Sequence, residues 1–190
     1  MSTALDLDAL NAEDPAAFVT ALAPLFEGAP RFLGRLAAHR PFADWPALFE
    51  RARAVAHAMP EVEQVELIDA HPRLGAPAAS VSALSFREQG YDRDRPAAVA
   101  AGSPAGAAAE SPAELERERV AAAFERLNAA YEARFGFRYC VHVAGRPRAE
   151  LLPEMEASLQ GAPDAERHRA LDAVVDIAID RLSVVLGPMR

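Results

Sequence analysis

The sequence predicts an all-α protein, a helical bundle folded as a single domain over residues 1–190, with one short extended segment. Three observations predict it. Half of the side chains are hydrophobic but few are aromatic (51% against 7%), and alanine dominates, which suits close-packed helices better than a sheet. Apolar residues recur at helical spacing through most of the chain. Helix starts are also written repeatedly as a capping Asp or Ser followed by proline at the first helical positions. A chain of 190 residues is long enough to bury a substantial core.

Asp14-Pro15 opens the first clear helix, whose Phe18, Leu22 and Phe26 share a face up to Gly28. A short helix from about Pro30 to Ala38 turns Phe32, Leu33 and Leu36 inward. Asp44 caps the next, with Trp45, Leu48, Ala52, Val55 and Met59 on one face. Pro60 begins a helix through Val62, Val65 and Ile68. It ends at His71, because Pro72 disfavours the α conformation there. From Gly90 to Gly106 the apolar period is lost in an Ala/Gly/Pro/Ser stretch, read as a long loop or a weak Ala helix, flexible over about 90–110.

Ser111-Pro112-Ala113-Glu114 then combines a capping box with proline at the first helical position. The helix behind it carries Val120, Phe124, Leu127, Tyr131 and Phe135, and Gly136 stops it. Residues 137–143 alternate with period two and read as a strand, yet no second strand is available to pair with it. Its backbone must be satisfied elsewhere, and a bound polar ligand is one candidate. After Gly145-Arg146-Pro147 a helix bears Leu151, Leu152, Met155 and Leu159, and the last helix runs from near Pro163 to about Leu186.

Charge and composition exclude several functions. A formal charge of −8 leaves no basic footprint for nucleic acid. No apolar run is long enough to span a membrane and the first ten residues lack a secretory pattern, so a soluble cytoplasmic protein is expected. Cys140 is the single cysteine, which rules out an internal disulfide. All 20 basic residues are arginine, so a lysine Schiff base, a pyridoxal anchor and a P-loop are all excluded. His39, His57, His71, His142 and His168 never occur at i,i+4 spacing with an acidic partner motif, and no metal site is expected.

The chemistry concentrates in Ile68-Asp69-Ala70-His71-Pro72-Arg73-Leu74-Gly75 and Ser85-Phe86-Arg87-Glu88-Gln89, which supply an imidazole, a hydroxyl, a carboxylate and an amide. A histidine at a helix C-terminus feels the negative end of the macrodipole, which favours its protonated form and suits a proton donor. Ser85-x-x-Glu88 also matches a helix capping box, in which the pair only satisfies backbone N–H groups. In the last helix Arg181 falls within the apolar arc of Leu171, Val174, Ala178, Leu182 and Val185. It is read either as a snorkelling or salt-bridged arginine, or as an anion clamp.

These residues make the chain resemble the 2-oxo-4-hydroxy-4-carboxy-5-ureidoimidazoline (OHCU) decarboxylases of urate breakdown. The resemblance is carried by His71-Pro72-x-Leu74, Ser85-x-x-Glu88-Gln89, Leu127-Asn128-x-x-Tyr131-x-x-Arg134-Phe135-Gly136-Phe137 and Arg181-Leu182, with Leu10-Asn11 and Arg40-Pro41-Phe42 near the start. It spans nearly the whole chain, and the order and spacing of these motifs together are specific.

The resemblance implies an all-helical, homodimeric enzyme without a cofactor, acting on a small ureidoimidazoline carboxylate to give (S)-allantoin. It implies His71 as proton donor, with Glu88 ordering the substrate hydroxyl and carboxylate. Ser85, Gln89 and Arg181 would hold the substrate and Pro72 would shape the wall. Main-chain groups of Tyr139, Cys140, Val141, His142 and Val143 would meet the ring. Arg146 receives no role from it.

Two features depart from the family pattern. The 90–110 stretch is longer and blander than the usual continuation after the Glu-Gln pair, and Arg138 stands where the family tends to have proline. Either could change how the pocket closes or which ureido acid it accepts. The alternatives are therefore a same-fold enzyme for a related imidazoline or ureido acid, and an inactive helical binding module. Retention of both His71 and Glu88 weighs against the second.

Overall fold

The computed structural model describes residues 5–90 and 111–186, so all of the expected loop except Gly90 lies outside the described residues. Among the described residues the regular structure is α-helix and short 3-10 turns, with no strand. The chain divides into two compact units, one of residues up to 71 with 140–142 and the segment from 161 onward, the other of 72–139 and 143–160.

The first unit opens with α1 (Leu7–Ala12), a helix the sequence reading did not anticipate, capped by Asp6 accepting from the Ala9 N–H. In α2 (Pro15–Leu22) Asp14 accepts from Ala16 and Ala17, as expected of the Asp-Pro start. The helix does not run to Gly28. Pro24 cannot continue the α ladder, and a 3-10 turn, Ala23–Phe26, takes over. Three consecutive positive φ angles follow, 51° at Glu27, 98° at Gly28 and 24° at Ala29, and reverse the chain into α3 (Pro30–Ala37).

Asn11 locks the next connection by donating to the Phe42 carbonyl at 2.8 Å and accepting its N–H at 2.9 Å, beside a cis Arg40-Pro41 bond. Asp44 caps α4 (Trp45–Ala58), and α5 (Glu61–Asp69) follows Pro60. The long α9 (Pro163–Leu186) packs on α4, on α5 and on the 3-10 turn. Phe18, Leu22, Phe26, Leu33, Leu48, Ile68, Leu171 and Val174 are buried in this unit, and α9 is the element it is assembled around.

The second unit holds α6 (Ala83–Glu88), α7 (Pro112–Phe135) and α8 (Arg148–Ser158). The predicted capping box of α7 is complete: Ser111 and Glu114 each satisfy the other's backbone N–H. Gly136, at φ 78°, ends the helix in the left-handed conformation that glycine adopts without strain. Residues 137–143 form no strand. Their alternation has another cause: Phe137 and Tyr139 turn into an aromatic cluster on Tyr131, at centroid distances of 5.7 and 5.1 Å, while Arg138 stays partly exposed. Among the described residues no helix is long and apolar enough to cross a membrane.

Candidate active site

His71 follows the last turn of α5 at the end of the first unit, with its N–H bonded to the Ile68 carbonyl at 3.1 Å. The chain leaves the helix at Pro72 as the sequence predicts. The side chain is 4% exposed. Its charge state differs from the expectation. Burial, and after it the Arg181 guanidinium, hold the imidazole down to about 4, so it is neutral near pH 7. Glu27 and the Leu67 carbonyl pull the other way and lose. A helix C-terminus favours a cation by only about 0.3–1 kcal/mol. Removing an imidazolium from water next to another cation costs more.

Arg181 projects from α9 and is 1% exposed, the largest of the fully buried side chains among the described residues. Its Nη2 donates to Glu27 Oε1 at 2.8 Å, and its Nη1 to the Pro24 and Leu25 carbonyls at 3.2 and 3.4 Å. The buried guanidinium is thus salt-bridged, the first of the two readings its place in the apolar arc allowed. Glu27 escaped the sequence reading. The signal available was one carboxylate closing an apolar run just before Gly28.

Cys140, Val141 and His142 also belong to this unit. Cys140 is buried and its carbonyl accepts from Arg169 at 2.9 Å, so part of this segment's backbone is satisfied by protein. His142 is bonded to Asp180 at 2.5 Å.

The second unit carries Pro72, Ser85, Glu88, Gln89, Tyr139 and Val143. Ser82, not Ser85, is the cap of α6, accepting from the Ser85 N–H at 3.1 Å. The Ser85-x-x-Glu88 capping reading is therefore incorrect: Ser85 lies within the helix and is buried, and Glu88 is its last residue, partly buried.

Gln89 caps the C-terminus, and its side chain grips the loop after Pro72. Oε1 accepts the Gly75 N–H at 2.9 Å and Nε2 donates to the Arg73 carbonyl at 3.3 Å. Arg148 Nε in turn donates to the Gln89 carbonyl at 3.0 Å. Asn128 holds the intervening residue, donating to the Leu74 carbonyl at 2.9 Å. Gly75 completes the arrangement: at φ 77° an added Cβ would come within 3.2 Å of Phe124 Cβ. Tyr139 packs edge-on against Tyr131, and the Val143 carbonyl accepts from the Arg146 backbone and Nε. Arg146 also pairs with Glu154 at 2.7 Å, which gives it a structural role. Among the described residues no group of three or more His, Cys, Asp or Glu is placed to hold a metal.

The first unit offers a buried, neutral imidazole whose proton affinity is lowered first by burial and then adjusted by an arginine–glutamate pair, and the second a separately pinned Arg73–Gly75 loop. The family model described as OHCU decarboxylase matches residues 11–183. The chain is 28% identical over 180 residues to a uric acid degradation bifunctional protein of Bacillus subtilis (strain 168), covering 95% of this chain but 32% of that protein. It is 26% identical over 179 residues to a 2-oxo-4-hydroxy-4-carboxy-5-ureidoimidazoline decarboxylase of Haloferax volcanii, covering 94% of this chain and 95% of the relative. Among solved structures it is similar to an (S)-allantoin synthase, with a TM-score of 0.63 at 20% identity over 96% of this chain and 54% of the other. The last likeness shows the fold.

Proposed function

The chain belongs to the OHCU decarboxylase family, and on that premise we propose that it converts 2-oxo-4-hydroxy-4-carboxy-5-ureidoimidazoline to (S)-allantoin and CO2 in urate breakdown. It is a carboxy-lyase acting on a small-molecule carboxylate. The observation that supports this mechanism best is His71, buried at the end of α5 and neutral at rest.

The substrate brings what the imidazole lacks. An anion placed close to a buried imidazole favours the imidazolium, so the carboxylate draws a proton onto His71 as it binds. The C–CO2 bond then breaks, and its electron pair flows into the adjacent ring C=N, so that no cofactor need act as electron sink. His71 delivers its proton to one face of the planar intermediate at the neighbouring ureido-bearing carbon of the former C=N, while the hydroxyl on the carbon that lost CO2 becomes the carbonyl and passes its proton to the ring nitrogen. The products are CO2, allantoin and a neutral His71, whose proton is replaced from solvent in the next cycle.

The remaining roles rest on the resemblance. Glu88 orders the hydroxyl and carboxylate, Ser85, Gln89 and Arg181 hold the substrate, and Pro72 shapes the wall. The backbone of 139–143 meets the ring. Arg181 acts with its charge already matched by Glu27, as a directional donor more than as a bare cation. The same reading carries a homodimer in the cytoplasm.

The test is to generate OHCU in situ by oxidising and hydrolysing urate, then to follow its loss and the optical activity of the product with and without the protein. A rate and an optical rotation unchanged by the protein would refute the assignment. Light scattering checks the dimer.

A further inference from the structure

Glu27 stands in an unusual place for a surface-prone carboxylate. Its backbone is left-handed, φ 51°, a conformation that non-glycine residues adopt only at a cost. The strained turn continues through Gly28 and Ala29. What the turn achieves is visible at the other end of the side chain: Oε1 sits 2.8 Å from Nη2 of Arg181, a residue 1% exposed. The same turn supplies the Pro24 and Leu25 carbonyls to Nη1. One short segment thus fixes both the position and the charge balance of the buried guanidinium.

We infer that Glu27 is a positioning residue for the reaction, holding Arg181 and offsetting its charge where that charge acts on His71. The inference rests on the decarboxylase reading for its kinetic consequence but not for its electrostatic one. Both charges reach the imidazole, Arg181 opposing its protonation and Glu27 favouring it.

Several other charges on the elements packed against α5 are paired. Arg31 and Arg35 of α3 meet Glu66 and Glu63, and His57 of α4 meets Asp172. Arg167 of α9 meets Glu61 and Asp164, and beyond α5 His142 meets Asp180. Burial lowers the imidazole's proton affinity first, and Arg181 and Glu27 are the charges that then adjust it. With the pair intact, His71 is neutral at rest yet within range of a substrate anion. Without Glu27, the uncompensated guanidinium holds the imidazole neutral more strongly, and the proton-delivering form becomes scarce even with substrate bound.

The experiment compares wild type with Glu27→Gln, Glu27→Asp and Arg181→Met, using ring-labelled histidine to follow His71 by NMR between pH 3.5 and 8, without substrate. The expected result is a pair of shifts of opposite sign. The midpoint moves up by about one unit in Arg181→Met, the low end of the effect of a nearby charge. In Glu27→Gln it moves below the wild-type value, and in Glu27→Asp, which keeps the charge, it stays near wild type.

Turnover supplies a second readout. Glu27→Gln should lose roughly tenfold in kcat, as one unit of proton affinity implies, with KM unchanged or lower because Arg181 keeps its full charge for an anion. A folded Glu27→Gln that titrates and turns over like wild type overturns the inference. If Glu27→Gln does not fold, the Glu27→Asp and Arg181→Met titrations decide alone: Arg181→Met must move up and Glu27→Asp must not. Wild type that titrates as expected yet fails to decarboxylate OHCU would refute the functional reading and leave Glu27's electrostatic role intact.

Discussion

Asn128, buried in the middle of α7, donates from Nδ2 to the carbonyl of Leu74, 54 residues away in sequence, at 2.9 Å. The bond ties the longest helix of the second unit to the loop that follows His71-Pro72. It accounts for an asparagine on the otherwise apolar side of Phe124, Leu127 and Tyr131. An asparagine in a helix interior is neutral to unfavourable for propensity, and its value here is tertiary.

Asn128→Ala is accordingly expected to destabilise the protein by about 1–3 kcal/mol, because the Leu74 carbonyl is left buried without its donor. Chemical denaturation followed by circular dichroism measures it. A loss under half a kcal/mol would mean that water or another donor already serves Leu74.

The cap of α6 separates two serines that the sequence pattern confuses. Ser82→Ala removes a cap and should cost about 0.5–2 kcal/mol of stability with little effect on kcat. Ser85→Ala, three residues on and buried, should instead raise KM if Ser85 holds substrate as proposed. Melting curves and steady-state kinetics on the two variants distinguish them, and the assignment fails if Ser85→Ala leaves KM untouched.

His71 makes stability pH-dependent in a definite direction. The folded imidazole takes its proton near pH 4, whereas the unfolded one takes it near 6.5. Between those values the unfolded chain binds more protons, so stability attributable to this group rises with pH. Its contribution is complete above about 6.5 and is lost as the pH falls toward 4. His71→Asn removes the linkage. The gap in unfolding free energy between wild type and variant should therefore move against wild type by on the order of 3 kcal/mol between pH 7 and 4. Parallel pH curves for the two proteins would show that His71 is not buried neutral.

Arg181→Lys keeps a cation but cannot bond the Pro24 and Leu25 carbonyls and Glu27 with one planar fork. A loss of about 1–3 kcal/mol is expected. Where it falls is informative. A drop in melting temperature with unchanged kcat/KM makes Arg181 purely architectural, and a matching drop in kcat/KM supports contact with substrate.

Helix order and most boundaries were legible in the sequence because they rest on local signals: Asp14-Pro15, the Ser111–Glu114 box and Gly136 each fix an end by themselves. Pro24 carried a local signal too, yet the apolar period of Phe18, Leu22 and Phe26 runs straight across it and hid the change to a 3-10 turn. Period two at 137–143 suggested a strand because alternation reports one buried side. It does not report whether the other side of the backbone has a partner strand. The charge of His71 was not legible at all. Its helix-end position is local, but its burial and the Arg181–Glu27 pair come from segments 154 residues apart. Sequence placed the imidazole correctly and gave it the wrong resting protonation.

That protonation sharpens what removal of His71 should do to the product. OHCU loses CO2 in water unaided and gives racemic allantoin, so disappearance of substrate is a weak criterion. On the proposed mechanism the protein's contribution is a proton delivered to one face, taken up with the substrate because His71 is neutral beforehand. His71→Asn keeps some of the size and hydrogen bonding of the imidazole but has no proton to deliver near neutral pH. A positioned acid contributes roughly 10²–10⁴-fold, so the rate should fall toward the spontaneous one. Wild type should yield one enantiomer, (S)-allantoin, and His71→Asn an essentially racemic product, with the helical circular dichroism of the two proteins closely alike. A folded His71→Asn variant that still makes optically pure allantoin at nearly the wild-type rate would remove His71 from the mechanism.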